Sequence, residues 1–231
     1  MINFSIVIPV YNEEESIAKL LDEIFYHLHE YQNNFEILIM NDGSKDNTLA
    51  VINNLKDKYK LKVYNNNLNL GQSYCIYNSI MKSNYDTIVT IDGDGQNNPK
   101  DILTLINHYK VNNDVMLVSG IRFNRKDSFI KKISSNYANK IRMKILKDDC
   151  IDTGCSLKIF NKHIFLSYPF FDGIHRFIPA LFNAKKVKIK YVNVDHRFRE
   201  FGKSKYGIIN RLFRGIRDII RVRKLIKKAN D

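Results

Sequence analysis

The sequence predicts an α/β fold: a mostly parallel central sheet flanked by helices, with a basic amphipathic helix at the C-terminal end. Three observations carry that expectation. Short apolar runs alternate with segments of helical period along the first half of the chain. Turns rich in Asp, Asn and Gly follow several of the apolar runs, which is where open α/β sheets bind ligands. The chain has 231 residues, 44% hydrophobic and 26% charged, the composition of one packed domain. Disorder, a collagen repeat and a pure coiled coil do not fit these numbers, and no run of 18 apolar residues occurs.

Met1–Asn3 lead straight into the first apolar run, so no signal peptide is expected before the fold. Phe4–Val10 reads as a buried strand. Residues 13–31 read as a helix, because Ile17, Leu20, Leu21, Ile24, Phe25 and Leu28 recur at helical spacing. Residues 35–40 form a second strand, and residues 46–55 a helix after the Asn41-Asp42-Gly43-Ser44 turn. Then come a strand at 61–64, a helix at 71–81, a strand at 87–91, a helix at 101–109 and a strand at 115–118. Beyond residue 121 the pattern loosens. Residues 128–146 read as a basic helix, 156–160 as extended, 176–183 as a short helix, and 187–194 alternate as a strand. Residues 207–228 form a long basic helix. With no repeat or linker in sight, the organisation expected is a domain at 1–206, made of two halves, 1–121 and 122–206. A helical extension at 207–231 follows it.

Charge divides at the same place. Residues 1–121 hold 9 Lys+Arg and 15 Asp+Glu, a net −6, whereas residues 122–231 hold 28 and 9, a net +19. The total of +13 points to phosphate, membrane or nucleic acid. No zinc-finger, helix-turn-helix or RNA-motif pattern accompanies it, so nucleic acid is not the expected partner. Three cysteines, Cys75, Cys150 and Cys155, with no CxxC, point to a reducing compartment and to packing roles, not to disulfides, structural zinc or nucleophiles.

The residues that carry chemistry follow the strands. The first turn, Pro9-Val10-Tyr11-Asn12-Glu13, has no GxGxxG and so does not resemble a dinucleotide site. Asp92-Gly93-Asp94-Gly95-Gln96 follows the fourth strand. Two carboxylates two residues apart, relaxed by glycines, can converge on a hard divalent cation, with an amide oxygen from Gln96. Asp-Gly pairs are also ordinary turns, and it is the coincidence of three strand-end motifs that favours a ligand site. Asp42 can accept from a nucleobase or ribose, or cap the next helix; Glu13 can contact a nucleotide or stabilise a helix start; Tyr11 can stack or pack. His175 and His196 have no partner at ligand spacing and read as hydrogen-bonding residues.

Taken with Asn69-Leu70-Gly71-Gln72, Arg122-Phe123-Asn124-Arg125-Lys126-Asp127, Ser135 with Asn139, Asp152-Thr153-Gly154-Cys155, His175-Arg176-Phe177-Ile178-Pro179 and Arg199–Gly207, these motifs run in order over residues 6–207. In that order they resemble a family 2 glycosyltransferase of GT-A fold, and within it the polyprenyl-phosphate glycosyltransferases. The resemblance implies a UDP- or GDP-linked sugar donor, Mg²⁺ or Mn²⁺, and a polyprenyl phosphate acceptor. By position it implies that Pro9, Tyr11, Glu13 and Asp42 contact the nucleoside. Asp92, Asp94 and Gln96 would hold metal and diphosphate, and Arg122, Lys131, Ser135 and Arg199 would gather around the phosphates. Lys203 and Lys205 would support them. Gly95 and Lys131 depart from the family's usual aliphatic residue and Arg.

The chemistry agrees with this. A departing nucleoside diphosphate needs a Lewis acid, and a lipid monophosphate, with a second pKa near ~6, needs no base to attack. It does need cations that hold two anions together. A hydroxyl acceptor, as on a surface glycan, would need a base, for which Asp152 is the candidate; otherwise Asp152 positions or pairs with a cation. A catalytically silent nucleotide-sugar or nucleic-acid binder is the reading from another class. Ile208, Leu212, Phe213, Ile216, Ile219 and Ile220 among Arg and Lys would lay the last helix in a membrane surface or pack it on the domain. The resembled group often continues into transmembrane helices after such a region. The location expected is therefore the inner face of the cytoplasmic membrane, held by this helix or by a separate membrane protein.

Overall fold

Strand β1 (Phe4–Val10) is buried on both faces, which is why its sequence is apolar throughout and does not alternate. In the computed structural model, residues 2–111, 114–123, 139–140, 142–199 and 208–230 are described, with side chains given only from residue 215 in the last helix and not for 216, 229 and 230. β2 (Phe35–Asn41) and β4 (Thr87–Thr90) flank β1 in parallel, and β3 (Lys62–Asn65) extends the sheet beyond β2. On the other side β6 (Lys158–Asn161) runs antiparallel to both β4 and β5 (Val115–Arg122), and β7 (Lys188–Val194) closes the sheet parallel to β5. The seven strands lie in the order β3-β2-β1-β4-β6-β5-β7.

Two apolar cores sandwich the sheet. Ile6, Ile8, Val89 and Ile159 face α1 (Ile17–His27), α2 (Thr48–Leu55) and α4 (Asp101–Lys110). Val7, Ile88, Leu117 and Phe160 face α3 (Gln72–Lys82), α5 (Lys162–Leu166), α6 (Ile178–Ala184) and α7 (Ile208–Asn230). The period-2 exchange along β1 and β4 sends neighbours to opposite cores.

Several boundaries move for local reasons. Helix α1 begins at Ile17, not Glu13, because the amides of Asn12 and Glu13 bond Ser44 Oγ and Thr48 Oγ1 across the turn after β2. It ends at His27, and a single 3₁₀ turn covers residues 29–31. Helix α2 starts at Thr48, whose amide donates to Asp46 Oδ1 at 3.0 Å. Helix α5 was not legible as a helix; Asn161 caps it, its side chain accepting from the Ile164 amide at 3.1 Å. Of the helix expected over 128–146, residues 139–140 and 142–146 are helical and the remainder lies outside the described residues.

The last helix follows the second of its two expectations, packing on the domain. Val222 is fully buried, and Ile219, Leu225 and Ile226 pack against the second core. Asp218, 3% exposed, pairs with Arg176 at 2.7 Å. The described part of this helix is thus integral to the domain and is no separate extension with its apolar side toward lipid. The face it leaves outward carries Arg217, Arg221, Arg223, Lys224, Lys227 and Lys228, with Ile220 among them.

Candidate active site

Because β6 alone runs against its neighbours, six strand ends and the start of β6 open on one edge of the sheet. That edge collects Tyr11–Glu13, Asp42–Asn47, Asn66–Gly71, Asp92–Gln96, Arg122, Asp152–Leu157 and Asp195–Arg199. Close approach of β4 to β1 depends on Gly93, where a Cβ would meet Val10 Cγ1 at 2.7 Å and the Pro9 carbonyl at 3.2 Å. Pro9 thus lines the contact between the first and fourth strand ends, and Tyr11 is half-buried in the turn beyond it.

Asp92 and Asp94 lie at the centre. Asp92 Oδ1 accepts from Gln72 Nε2 at 2.7 Å, and Asp94 Oδ1 accepts from the Gln96 amide at 3.1 Å. Burial, and then the neighbouring Asp94, push the Asp92 carboxyl up to about 6. Two half-buried carboxylates in this relation fit a divalent cation, whose charge would offset both effects. The donor set is all oxygen and suits Mg²⁺ or Mn²⁺. Among the described residues no third His, Cys, Asp or Glu joins them, which leaves the Gln96 amide oxygen as the neighbouring donor of another kind. Gln96 is tied to the last strand end: its Nε2 donates to the Arg197 carbonyl at 3.3 Å and its carbonyl accepts from the Arg197 amide at 2.8 Å. Its amide oxygen is the atom it has to offer a metal.

Arg199 spans the first and fourth strand ends, 2.6 Å from Glu13 Oε1 and 3.8 Å from Asp94 Oδ2. Arg122 makes a bidentate pair with Asp152, at 2.8 Å from Nε and 2.7 Å from Nη2, and its backbone amide also donates to that carboxylate. A guanidinium held in this way is a fixed fork. Gly154 leaves room for it, since a Cβ there would come within 2.6 Å of Arg122 Nη2. Asp152 therefore occupies the pairing role that was weighed against general base. Lys131, Ser135, Lys203 and Lys205 lie outside the described residues.

Asp42 is buried and accepts from the amides of Leu70 and Gly71 at 2.8 and 2.9 Å and from Asn66 Nδ2 at 3.2 Å. It holds the loop that starts α3, and the capping of α2 falls to Asp46. His175 is within 2.7 Å of Ser73 Oγ; burial, helped by Arg176 and Lys158, holds its ring down at about 3, so it is neutral and hydrogen-bonding. His196 Nε2 lies 3.4 Å from Arg122 Nη1. The three cysteines are buried free thiols, and burial pushes that of Cys155 up to about 11, which fits packing residues.

Sequence reasoning missed Gln72, Ser156 and Lys158. Gln72 stood inside a motif but drew no role, because nothing in sequence links the start of α3 to Asp92. Lys158 carried a signal in plain view: a lone charge within Leu157-Lys158-Ile159-Phe160, a strand apolar on both sides.

The family described as Glycosyl transferase family 2 matches residues 5–168. The chain is 34% identical over 226 residues to a dodecaprenyl-phosphate galacturonate synthase of Rhizobium johnstonii, covering 96% of this chain and 66% of that protein. It is 32% identical over 208 residues to an undecaprenyl-phosphate 4-deoxy-4-formamido-L-arabinose transferase of Proteus mirabilis, covering 89% of this chain and 63% of that one. It thus spans slightly less than two thirds of the length of these relatives. In fold it is similar to glucosyl-3-phosphoglycerate synthase of Mycobacterium tuberculosis, seen in complex with Mn²⁺, UDP and phosphoglyceric acid, with a TM-score of 0.69 and 17% identity over 95% of this chain and 76% of that one. With its seven-stranded GT-A sheet and a family match over most of its length, the chain belongs to glycosyl transferase family 2.

Proposed function

We propose that this chain transfers a sugar from a nucleotide-sugar donor to a polyprenyl phosphate, with inversion at the anomeric carbon. The observation that carries the reading is the single sheet edge on which a half-buried carboxylate pair, Asp92 and Asp94, stands beside the two guanidinium groups of Arg122 and Arg199. The names of the relatives, both polyprenyl-phosphate sugar transferases, support the acceptor class.

Asp92 and Asp94, with the Gln96 amide oxygen, would hold Mg²⁺ or Mn²⁺, which when bound supplies Lewis-acid stabilisation to a leaving diphosphate. The chain's own part is electrostatic and positional. Arg199, anchored on Glu13, lies next to the carboxylates, where the diphosphate would dock. Arg122, oriented by Asp152, presents a fork suited to a phosphate oxygen. An oxygen of the acceptor phosphate attacks the anomeric carbon, the bond from that carbon to the diphosphate oxygen breaks, and the nucleoside diphosphate leaves with the electron pair. The acceptor is already largely dianionic at neutral pH, with its second pKa near ~6, so no proton has to be removed. Asp152, committed to Arg122, fits this better than it fits a base for a hydroxyl acceptor. The outward cationic face of α7 suits an anionic membrane surface, which would place the enzyme peripherally on the inner leaflet.

The test is a panel of labelled nucleotide sugars incubated with the protein, undecaprenyl phosphate and Mg²⁺ or Mn²⁺, followed by extraction of the lipid. Label in the lipid phase that requires both metal and acceptor phosphate is the expected result. Label only on an added glycan would overturn the acceptor assignment.

A further inference from the structure

Lys158, the first residue of β6, is 1% exposed. Its Cα partners are Thr90 on β4 and Ser119 on β5, so these three side chains form one row on one face of the sheet. Phe160, two residues on, assigns that face to the core beneath α3, α6 and α7. Asp92 is the next residue on the same face beyond Thr90. The ammonium donates to the Cys155 carbonyl. Among the described residues no carboxylate lies within ion-pair distance of it, and Ser119 Oγ beside it has no hydrogen-bond partner.

A buried ammonium without a contacting counter-ion is costly, and the negative charge that offsets it is the carboxylate pair at the sheet edge. Lys158 turns back along its strand toward that edge, since the carbonyl its ammonium meets is that of Cys155, three residues before it. It also fixes the Cys155 end of a segment that touches the site twice. Thr90 Oγ1 donates to the Ser156 carbonyl at 2.6 Å, and the Ser156 hydroxyl donates to Asn97 at 2.7 Å and faces Asp92.

We propose that Lys158 is a positioning residue of the donor site, a fixed internal positive charge that sets the balance between cation and diphosphate affinity at Asp92 and Asp94. The inference rests on the donor reading given above. It differs from a brace of the fold in sign. A charge acting through space moves cation and anion affinity in opposite directions, whereas loss of a brace weakens both.

The test uses Lys158→Gln, which keeps an N–H for the Cys155 carbonyl and removes the charge, and Lys158→Arg, which keeps the charge. Mn²⁺ alone is titrated by electron paramagnetic resonance, and UDP by calorimetry at saturating Mn²⁺, both at about pH 8, above the carboxylate range. In Lys158→Gln we expect Mn²⁺ to bind about 5-fold tighter and UDP about 10-fold weaker, with Lys158→Arg within about 3-fold of the parent for both. Both affinities falling together in Lys158→Gln, or neither moving, would overturn the proposal. If the Gln variant does not fold, Lys158→Met carries the same test, since an apolar residue in place of a buried charge commonly preserves stability. Parent protein that binds neither Mn²⁺ nor UDP would overturn the donor reading itself. That result is distinct from a parent that binds both and a variant that moves them in one direction.

Discussion

Asp94 has the simplest expected phenotype. Asp94→Asn removes one charge from the carboxylate pair and should lower turnover by about 10²-fold or more, with Mn²⁺ binding lost and the melting temperature little changed. Asp152→Asn should act through Arg122. Its bidentate pair would be loosened, and the KM for acceptor phosphate should rise by about 10-fold while the acid limb of the pH–rate profile stays in place. Disappearance of that limb would instead assign Asp152 as a base. His175 gives a stability prediction. Its folded pKa of about 3 lies below the ordinary 6.5 of an imidazole, so between those values the unfolded state binds more protons and stability falls as the pH is lowered. The slope for one such group is about 1.4 kcal/mol per pH unit, and His175→Gln should remove it from urea titrations taken across that window. Asp92, raised from 3.8 to about 6, works in the opposite sense between those two values, which is why the comparison with His175→Gln is needed.

Among the elements, α7 is where the sequence left two readings open and the structure favours one. Its apolar periodicity was legible, but periodicity names a face without naming what covers it. In the structure the cover is the second core, through Val222, Ile219 and Leu225, with Asp218 fixed on Arg176. Val222→Asp should therefore cost several kcal/mol, on the order of 3, in chemical denaturation. Removing residues 207–231 should lower the melting temperature as well as any vesicle binding, so truncation does not isolate a membrane role. Strands β1, β2 and β4 were legible because a parallel sheet buried on both faces leaves continuous apolar runs between turns. Strand β6 was legible as extended chain, but its insertion between β4 and β5 was not, since alternation carries no information on which neighbour pairs. The strand-end motifs gave the site its place. The partners of those residues, Gln72 on Asp92, Asp152 on Arg122 and Asp42 on the Leu70 and Gly71 amides, join positions 20 to 30 residues apart, and only the folded register brings them together.

The whole molecule is polarised. The half with net −6 supplies the carboxylate pair, and the half with net +19 supplies Arg122, Arg199 and the outward face of α7. No described helix is long and apolar enough to cross a membrane. From the outward cationic face of α7 we expect association with anionic vesicles that falls steeply between low and physiological salt. Charge reversal at Lys224, Lys227 and Lys228 should reduce it without a change in melting temperature, as measured by sedimentation with vesicles, because all three are exposed. Binding that persists in high salt would point to an apolar contact instead.

The reversed direction of β6 has one more consequence. The chain leaves the sheet at Arg122 and re-enters at Lys158, and both points lie on the same edge. The described residues of that excursion divide: Asp152–Leu157 line the edge, while Leu146 packs in the second core. Substitutions at residues 152–156 can therefore reshape one wall of the candidate site while β1, β2 and β4 keep their register. A sheet wired this way separates the wall built by the returning segment from the strands that carry the carboxylate turn, so that a change in one need not disturb the other.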